Sequence, residues 1–597
     1  MITDFLPTSR KEMDSRGWDS LDVILVTGDA YVDHPSYGAA VIGRVLENAG
    51  FKVGIIAQPD LKDPDDIKRL GRPKLFFGIT AGNLDSLIAN YTANKLPRSD
   101  DEYSPGGRSG LRPDRATMIY ANKVREAFSG APIVIGGMEA GMRRLGHYDY
   151  WQDKVRRSIL LDSKADVLVY GMGERQVLEI AKRLSGGERI GELSEIPGTC
   201  VIRNSVKEIE DAVMIPSFEE ISASKVKFNE SIKAAYFEAS PIGGRTLAQK
   251  HGSRFIVQFP SAAPLTTEEM DQVYGLPYRR AWHPSYNKEG GVPGLETVKF
   301  SVVSHRGCPG ACNFCSLYFH QGRIVQSRSE TSILAEIKEI ASQPDFKGTI
   351  TDIGGPTANL YGANCELWKT PGPCKGKKCL YPEKCPGLNL GYERSIKLWE
   401  KALNIPGVKN VFAGSGLRYD LLIDKDSDAY LKALCASHIS GRLKVAPEHT
   451  SQSVLGLMAK PDFNGYKDFV KRFGEANKQC GKEQYLVNYF IIGHPGAGLN
   501  EALEMALELA EMDIHPEQVQ DFIPLPMTVS GAMYYTEADP FNNKPVYVAK
   551  GLRERKLQRA LIQHKDPENK KYVLEALIKL GRMDEVGKLL PKKKFKI

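Results

Sequence analysis

The sequence predicts an α/β chain in two parts. Residues 1–200 read as an open, mostly parallel sheet, and residues 296–540 as a partial (βα)6 barrel. Three observations predict this. In the first 200 residues, short apolar runs that end in glycine alternate with helical stretches. After residue 296 the same alternation returns six times, short of the eight units of a closed barrel. Seven of the ten cysteines fall between residues 308 and 385, inside the second part.

Taken in order, residues 22–28 (DVILVTG) are a buried parallel-type strand, a continuous apolar run with a glycine stop. Residues 38–50 are helical, with Ala39, Ile42, Leu46 and Ala49 on one face and Gly50 as the stop. FKVGIIAQ, KLFFGITAG, APIVIGG and ADVLVYGMGE are further strands, and Gly28, Gly136, Gly137, Gly171 and Gly173 mark the carboxyl ends where such sheets bind ligands. Residues 94–115 form a long polar loop. Residues 201–295 have weaker periodicity and read as a bridging region. The second part runs from the strand 298–304 through the helix 332–341, with Ile333, Ile337 and Ile340 on one face, to the strand that begins at Gln518. Residues 541–597 are expected to be a charged tail with one helix near 568–580.

Of the 597 residues, 42% are hydrophobic and 26% charged, the balance of a globular protein. The formal net charge of +7 is a small excess over so long a chain and does not argue for nucleic acid. No apolar run is long enough to span a membrane, and the N-terminus lacks the apolar core of a signal peptide. The expectation is a cytoplasmic protein without a membrane partner and with reduced cysteines.

The segment SHRGCPGACNFCSLYFHQGR holds Cys308, Cys312 and Cys315. Three thiolates in eight residues, on a Gly/Pro-rich loop after a strand, can wrap one metal cluster, and three ligands on a four-iron cube leave one iron open. Phe314 is positioned to shield such a cluster from water. The competing reading is a zinc knuckle that recruits His305 as its fourth ligand. A second group, Cys365, Cys374, Cys379 and Cys385, lies in CELWKTPGPCKGKKCLYPEKC. Four soft ligands with Pro and Gly turns suit either an auxiliary iron–sulfur cluster or structural zinc, and spacing does not decide between them. The bland alternative is uncoordinated thiols on a mobile insert. Cys200, Cys435 and Cys480 are isolated and read as small buried hydrophobes.

The Cys308 loop resembles the Cys-x3-Cys-x-aromatic-Cys motif of the radical S-adenosylmethionine (SAM) superfamily, including the aromatic at Phe314. The stretches YANKVREAF, IGGMEA, PLTTEEMDQVYGLPYRRAWHPSY, LKVAPEHTS and HKDPEN extend a resemblance to the YgiQ-type subfamily over nearly the whole chain. The resemblance implies that Cys308, Cys312 and Cys315 ligate a [4Fe–4S] cluster. It implies that a one-electron donor of flavodoxin or ferredoxin type reduces it, and that SAM is cleaved to a 5′-deoxyadenosyl radical acting on a substrate it does not name. It places SAM against Gly354 and Gly355, with Pro356 where the family usually has Glu. Further contacts are implied at Ser415 and Arg418, at Lys444, Glu448 and His449, and at Ile491, Ile492 and Gly493.

The first part is similar to the cobalamin-binding domains that precede many such barrels. A ligand motif of the Asp-x-His-x-x-Gly kind is not met, because His34 directly follows Asp33 in DHPSYG. Its absence leaves base-off cobalamin without a protein ligand open, but the expectation is a cofactor-free domain that shapes the substrate site, with bound cobalamin not expected. Arg108, Arg112 and Arg115 offer a clamp for a phosphate or carboxylate. The tail PKKKFKI reads as solvated, and without an aromatic platform nucleic acid is neither indicated nor ruled out. The alternative to a radical enzyme is a non-catalytic iron–sulfur or zinc protein, either an RNA- or protein-binding factor or a redox sensor.

Overall fold

The computed structural model describes residues 4–590 apart from Glu208 and Glu210; the basic tail at 591–597 lies outside them. The chain divides into two units. The first comprises the residues up to Val303 with 316–336 and 367–375, and the second comprises 304–315, 337–366 and 376–597.

The first unit is built on a nine-stranded sheet. Five strands are parallel, in the spatial order Val53–Ala57, Val23–Thr27, Phe76–Thr80, Ile133–Gly136 and Val167–Val169. In chain order this is 2-1-3-4-5, a doubly wound arrangement whose switch point lies between Val23–Thr27 and Phe76–Thr80. Every residue of the two strands Val23–Thr27 and Val53–Ala57 is buried, as expected where helices cover both faces. The helix Gly38–Asn48 turns Ala40, Val41 and Leu46 into this core.

The sheet does not stop at residue 200. Thr199–Arg203 and Arg254–Gln258 add antiparallel strands, followed by Leu247–His251 and Val213–Ile215 at the edge. Residues 201–258, expected to bridge two domains, therefore belong to the first unit. Their pattern is weak because glutamines occupy core positions. Gln249 is fully buried, accepting from Gly146 N at 2.7 Å and donating to Pro216 O at 3.0 Å. The expected strand 298–304 is also shorter, Ser301–Val303, because Pro293 starts a helix that runs to Val298.

In the second unit the strand segments Thr349–Ile350 and Asp352–Gly354 are followed by Asn410–Val411, Arg442–Glu448, Tyr485–Ile492 and Gln518–Asp521. Consecutive strands are neighbours, and each pairing is parallel. Asn410–Val411 is continued toward the next strand by a parallel bridge between Leu417 and Val445. The helices Tyr392–Leu403, Asp428–Ser437, Phe463–Cys480 and Leu499–Glu511 alternate with them. This is the strand–helix progression of a partial barrel. The helix Leu552–Ile562 is not a free tail. It buries Leu557, Leu561 and Ile562, and Arg559 pairs with Asp521 at 2.8 Å. Among the described residues no helix is long and apolar enough to cross a membrane.

Candidate active site

The Cys308 loop leaves the backbone at Ser304, whose amide donates to Gly354 O at 2.7 Å and so docks it on the next strand of the unit. Asn313 clamps the loop on three sides. Its amide donates to Met458 O (2.9 Å), its Nδ2 to Leu457 O (2.8 Å), and its carbonyl accepts from Ser530 N (2.9 Å). Lys378 closes the fourth side through Ala311 O (2.7 Å) and Asn313 Oδ1 (2.6 Å). Ala311 is held at a φ of 46°, the left-handed region that is uncommon for a residue with a side chain. Phe314 lies edge-on to His494, with ring centroids 6.2 Å apart.

Arg418 ties the loop to a strand end. Its Nε and Nη2 bind the Asp420 carboxylate at 2.7–3.2 Å, and Nη1 points at Cys312 Sγ, 3.7 Å away. A Cβ on Gly310 would sit 2.5 Å from that Nη1 and 3.4 Å from Cys308 Sγ, so only glycine admits the guanidinium here. Burial pushes the Cys308 thiol up, and the Arg418 charge opposes it. Among the described residues no three His, Cys, Asp or Glu side chains are gathered at metal-binding distance. The donor chemistry still fits an iron–sulfur cluster. Three soft thiols share one short loop, a fixed cation faces two of them, and the loop is anchored at both ends.

Of the expected SAM contacts, Gly354 ends the loop's docking strand and Gly355 follows it. A Cβ on Gly354 would meet Ser415 Oγ at 2.1 Å, and one on Gly355 would meet His305 at 2.6–2.8 Å. The Ser415 hydroxyl is already committed to Asp352, which also accepts from Gly414 N (2.8 Å) and Ser415 N (3.1 Å). Lys444 is exposed, Ile491 and Ile492 are buried, and Gly493 N donates to Gln558 Oε1 at 2.9 Å. His449 is buried and neutral. Burial lowers its pKa to about 3, and Nδ1 accepts the amides of Thr450 and Ser451 at 3.0 Å, making it a turn cap.

Glu448 stands apart. It is buried at a strand irregularity with a φ of 70°, and Lys460 Nζ, bonded to Ala446 O at 2.8 Å, is 4.0 Å from its carboxylate. Burial raises its pKa from 4.5 to about 7, with Lys460 and Arg418 opposing. A folded-state pKa above the unfolded one means stability that is full below about pH 4.5 and lost as pH rises through 7. Glu448→Gln should remove that loss. The variant should gain on the order of 3 kcal/mol relative to the parent between pH 5 and 8, read from urea midpoints; parallel pH profiles would contradict it.

The insert carrying the second cysteine group is closed by antiparallel pairing of Asn364 with Asn389. Cys365 and Cys385 Sγ both lie within 3.9 Å of the point where a Cβ on Gly387 would stand, and Cys385 N donates to Cys379 O at 2.8 Å. Cys374 belongs to the first unit, where its carbonyl accepts from Arg323 at 3.0 Å.

In the first unit the three arginines expected to clamp an anion are all spent internally. Arg108 pairs with Glu289 and Arg115 with Asp149. Arg112 fills the switch point. It is fully buried and donates to Asp29 (2.7 Å), Asp101 (3.0 Å) and Ala81 O (2.6 Å). Gly82, at a φ of 105°, leaves no room for a side chain, since a Cβ would lie 2.7 Å from Arg112 Nη1. Nothing in local sequence signals this network, because Arg112 and Asp29 are 83 positions apart. His34 is buried, with Nδ1 accepting from Ser36 N at 3.0 Å, and Asp33 is bound to the buried Arg44.

Residues 5–301 match the family described as radical SAM N-terminal, residues 302–509 the radical SAM superfamily, and residues 517–594 a domain of unknown function. A UPF0313 protein of Methanocella arvoryzae is 51% identical over 97% of this chain and 96% of its own length. UPF0313 proteins of Clostridium botulinum strain 657 and of Methanosarcina acetivorans are 50% and 49% identical, over 98% of this chain and 91% and 81% of their own lengths. Among solved structures, the methyltransferase TsrM of Kitasatospora setae with cobalamin and [4Fe–4S] cluster bound aligns at a TM-score of 0.48 and 14% identity, over 85% of this chain and 74% of that one. OxsB with aqua-cobalamin and SAM bound aligns at 0.49 and 12%, over 96% and 72%. The expectation that cobalamin is not bound is withdrawn, because it rested on the ligand motif alone. The missing Asp-x-His-x-x-Gly spacing speaks only to one mode of ligation. An N-terminal radical SAM domain, a radical SAM core and near-full-length relatives at about half identity together make this chain a YgiQ-type member of the UPF0313 family within the radical SAM superfamily.

Proposed function

We propose that the chain is a radical SAM enzyme whose [4Fe–4S] cluster is held by Cys308, Cys312 and Cys315, and whose electron comes from a flavodoxin- or ferredoxin-like donor. The observation that carries this reading is the clamped three-thiol loop with Arg418 directed at it. When bound, cluster and SAM supply a 5′-deoxyadenosyl radical for hydrogen abstraction, chemistry that belongs to the cofactor. The chain's own part is positioning. Asn313 and Lys378 fix the loop, and Gly354 and Gly355 lie beside it where no side chain fits. Asp352 orients Ser415, and Lys444, Ile491 and Gly493 complete the strand-end rim. Glu448, with a pKa near 7, can hold or release a proton there. The thiols Cys365, Cys379 and Cys385 of the insert are proposed to hold a second metal.

Arg418 donates toward a ligand sulfur, which stabilises the more negative, reduced cluster. Arg418→Leu should therefore lower the midpoint potential in an EPR-monitored titration, with iron content unchanged. An unshifted potential would remove Arg418 from this role. The reading as a whole is tested by adding SAM to the reduced, reconstituted protein. A changed EPR spectrum of the cluster is expected, and an identical spectrum at saturating SAM would count against an open iron.

A further inference from the structure

The first unit has a cavity, partly open to solvent, two strands along the sheet from Phe76–Thr80, which borders the plugged switch point. It lies where the fifth parallel strand, Val167–Val169, runs through Tyr170 and Gly171 into the helix Glu174–Ser185. That twelve-residue helix has no side-chain cap at its N-terminus, and the buried carboxylate of Glu174 in its first turn faces the positive end of the helix.

Two independent observations point to a ligand. Gln176 lines the cavity and is only 2% exposed, yet neither its Oε1 nor its Nε2 has a hydrogen-bond partner. A buried carboxamide left unpaired costs about 1–3 kcal/mol for each group. The second observation concerns four arginines that are fully buried: Arg44, Arg112, Arg144 and Arg328. Three of them have carboxylate partners, in Asp33, Asp29 with Asp101, and Glu336. Arg144 has none among the described residues. It donates only to Gln258 Oε1 (2.7 Å) and Gly141 O (2.6 Å). Its guanidinium instead packs 4.5 Å from the ring of Tyr170 and 6.0 Å from that of Phe319, and both rings wall the cavity. Met172, Pro241, Pro264 and Leu265 supply apolar wall for a flat body.

We infer that this cavity is a binding site for a small organic anion with a planar lactam edge, of which a 6-oxopurine nucleotide is the simplest case. The lactam pairs its N–H and C=O with Oε1 and Nε2 of Gln176, and the anion answers the charge of Arg144, which has no carboxylate partner among the described residues. The site is independent of the radical reading above.

The test is calorimetric titration of the full-length protein with guanosine monophosphate, adenosine monophosphate, guanosine and inorganic phosphate. Guanosine monophosphate should bind at least about tenfold tighter than adenosine monophosphate, which lacks the lactam, and tighter than neutral guanosine. Gln176→Leu keeps the volume and removes two unpaired polar atoms. It should abolish the preference for guanine over adenine while leaving the Tm of the ligand-free protein equal or higher. Equal binding of the two nucleotides, no binding of guanosine monophosphate at millimolar concentration, unchanged selectivity in the variant, or a variant that unfolds early would each overturn the assignment.

Discussion

Cys308→Ala is expected to leave a folded protein that retains little iron and makes no detectable 5′-deoxyadenosine. Loss of a partner behind a ligand already costs roughly 10–100-fold in metal affinity, and loss of one of three direct ligands should cost more. The thiol itself does little for the fold. It is half-buried, and Ala311 and Asn313 hold the loop through Lys378, Leu457, Met458 and Ser530 whether or not residue 308 carries sulfur. Iron and sulfide analysis after anaerobic reconstitution, with a thermal melt of the same sample, checks both halves. A variant with full iron would remove Cys308 from the ligand set.

Arg112→Leu should cause the largest loss of stability of any single change in the first unit. The side chain is fully buried between Asp29 and Asp101, whose side chains are 5% exposed, and its removal strands both carboxylates in the interior. Breaking a buried pair in this way costs about 3–5 kcal/mol. The loss should shrink in acid. Burial holds the Asp29 carboxyl above its ordinary value, with Arg112 as the main opposing influence. Without Arg112 the folded state binds that proton more tightly still, so protonation recovers stability as pH falls. Urea unfolding followed by a probe in the first unit, at pH 5 and pH 8, checks the magnitude and the sign. A loss below about 1 kcal/mol, or one independent of pH, would mean that the network is solvated.

The five parallel strands were legible because strands buried on both faces are written as unbroken apolar runs, and Val23–Thr27 shows nothing else. The Cys308 loop was legible because its three cysteines are neighbours in sequence. The antiparallel extension to Gln258 was not, since a core glutamine that satisfies backbone groups, as Gln249 does, looks like a surface residue until its partners are known. Arg112 read as an anion clamp for the same reason: in sequence a buried arginine cannot be told from an exposed one, and its acids lie 11 and 83 positions away. The strand ends of the barrel were placed correctly in the chain, but ladders as short as Asn410–Val411 carry too few residues to fix which side chains are free. Ser415 is the example, its hydroxyl spent on Asp352. Lys460, which faces Glu448, sits in a stretch with no motif, and Lys378, which braces the loop, lies within the second cysteine group, where only the thiols carried a signal.

The most direct test of the account is 5′-deoxyadenosine formation by the reconstituted, dithionite-reduced protein supplied with SAM, measured beside Cys308→Ala. The account predicts product from the parent chain and none from the variant. A parent chain with a full, reduced cluster that neither forms 5′-deoxyadenosine nor changes its EPR spectrum with SAM would contradict it.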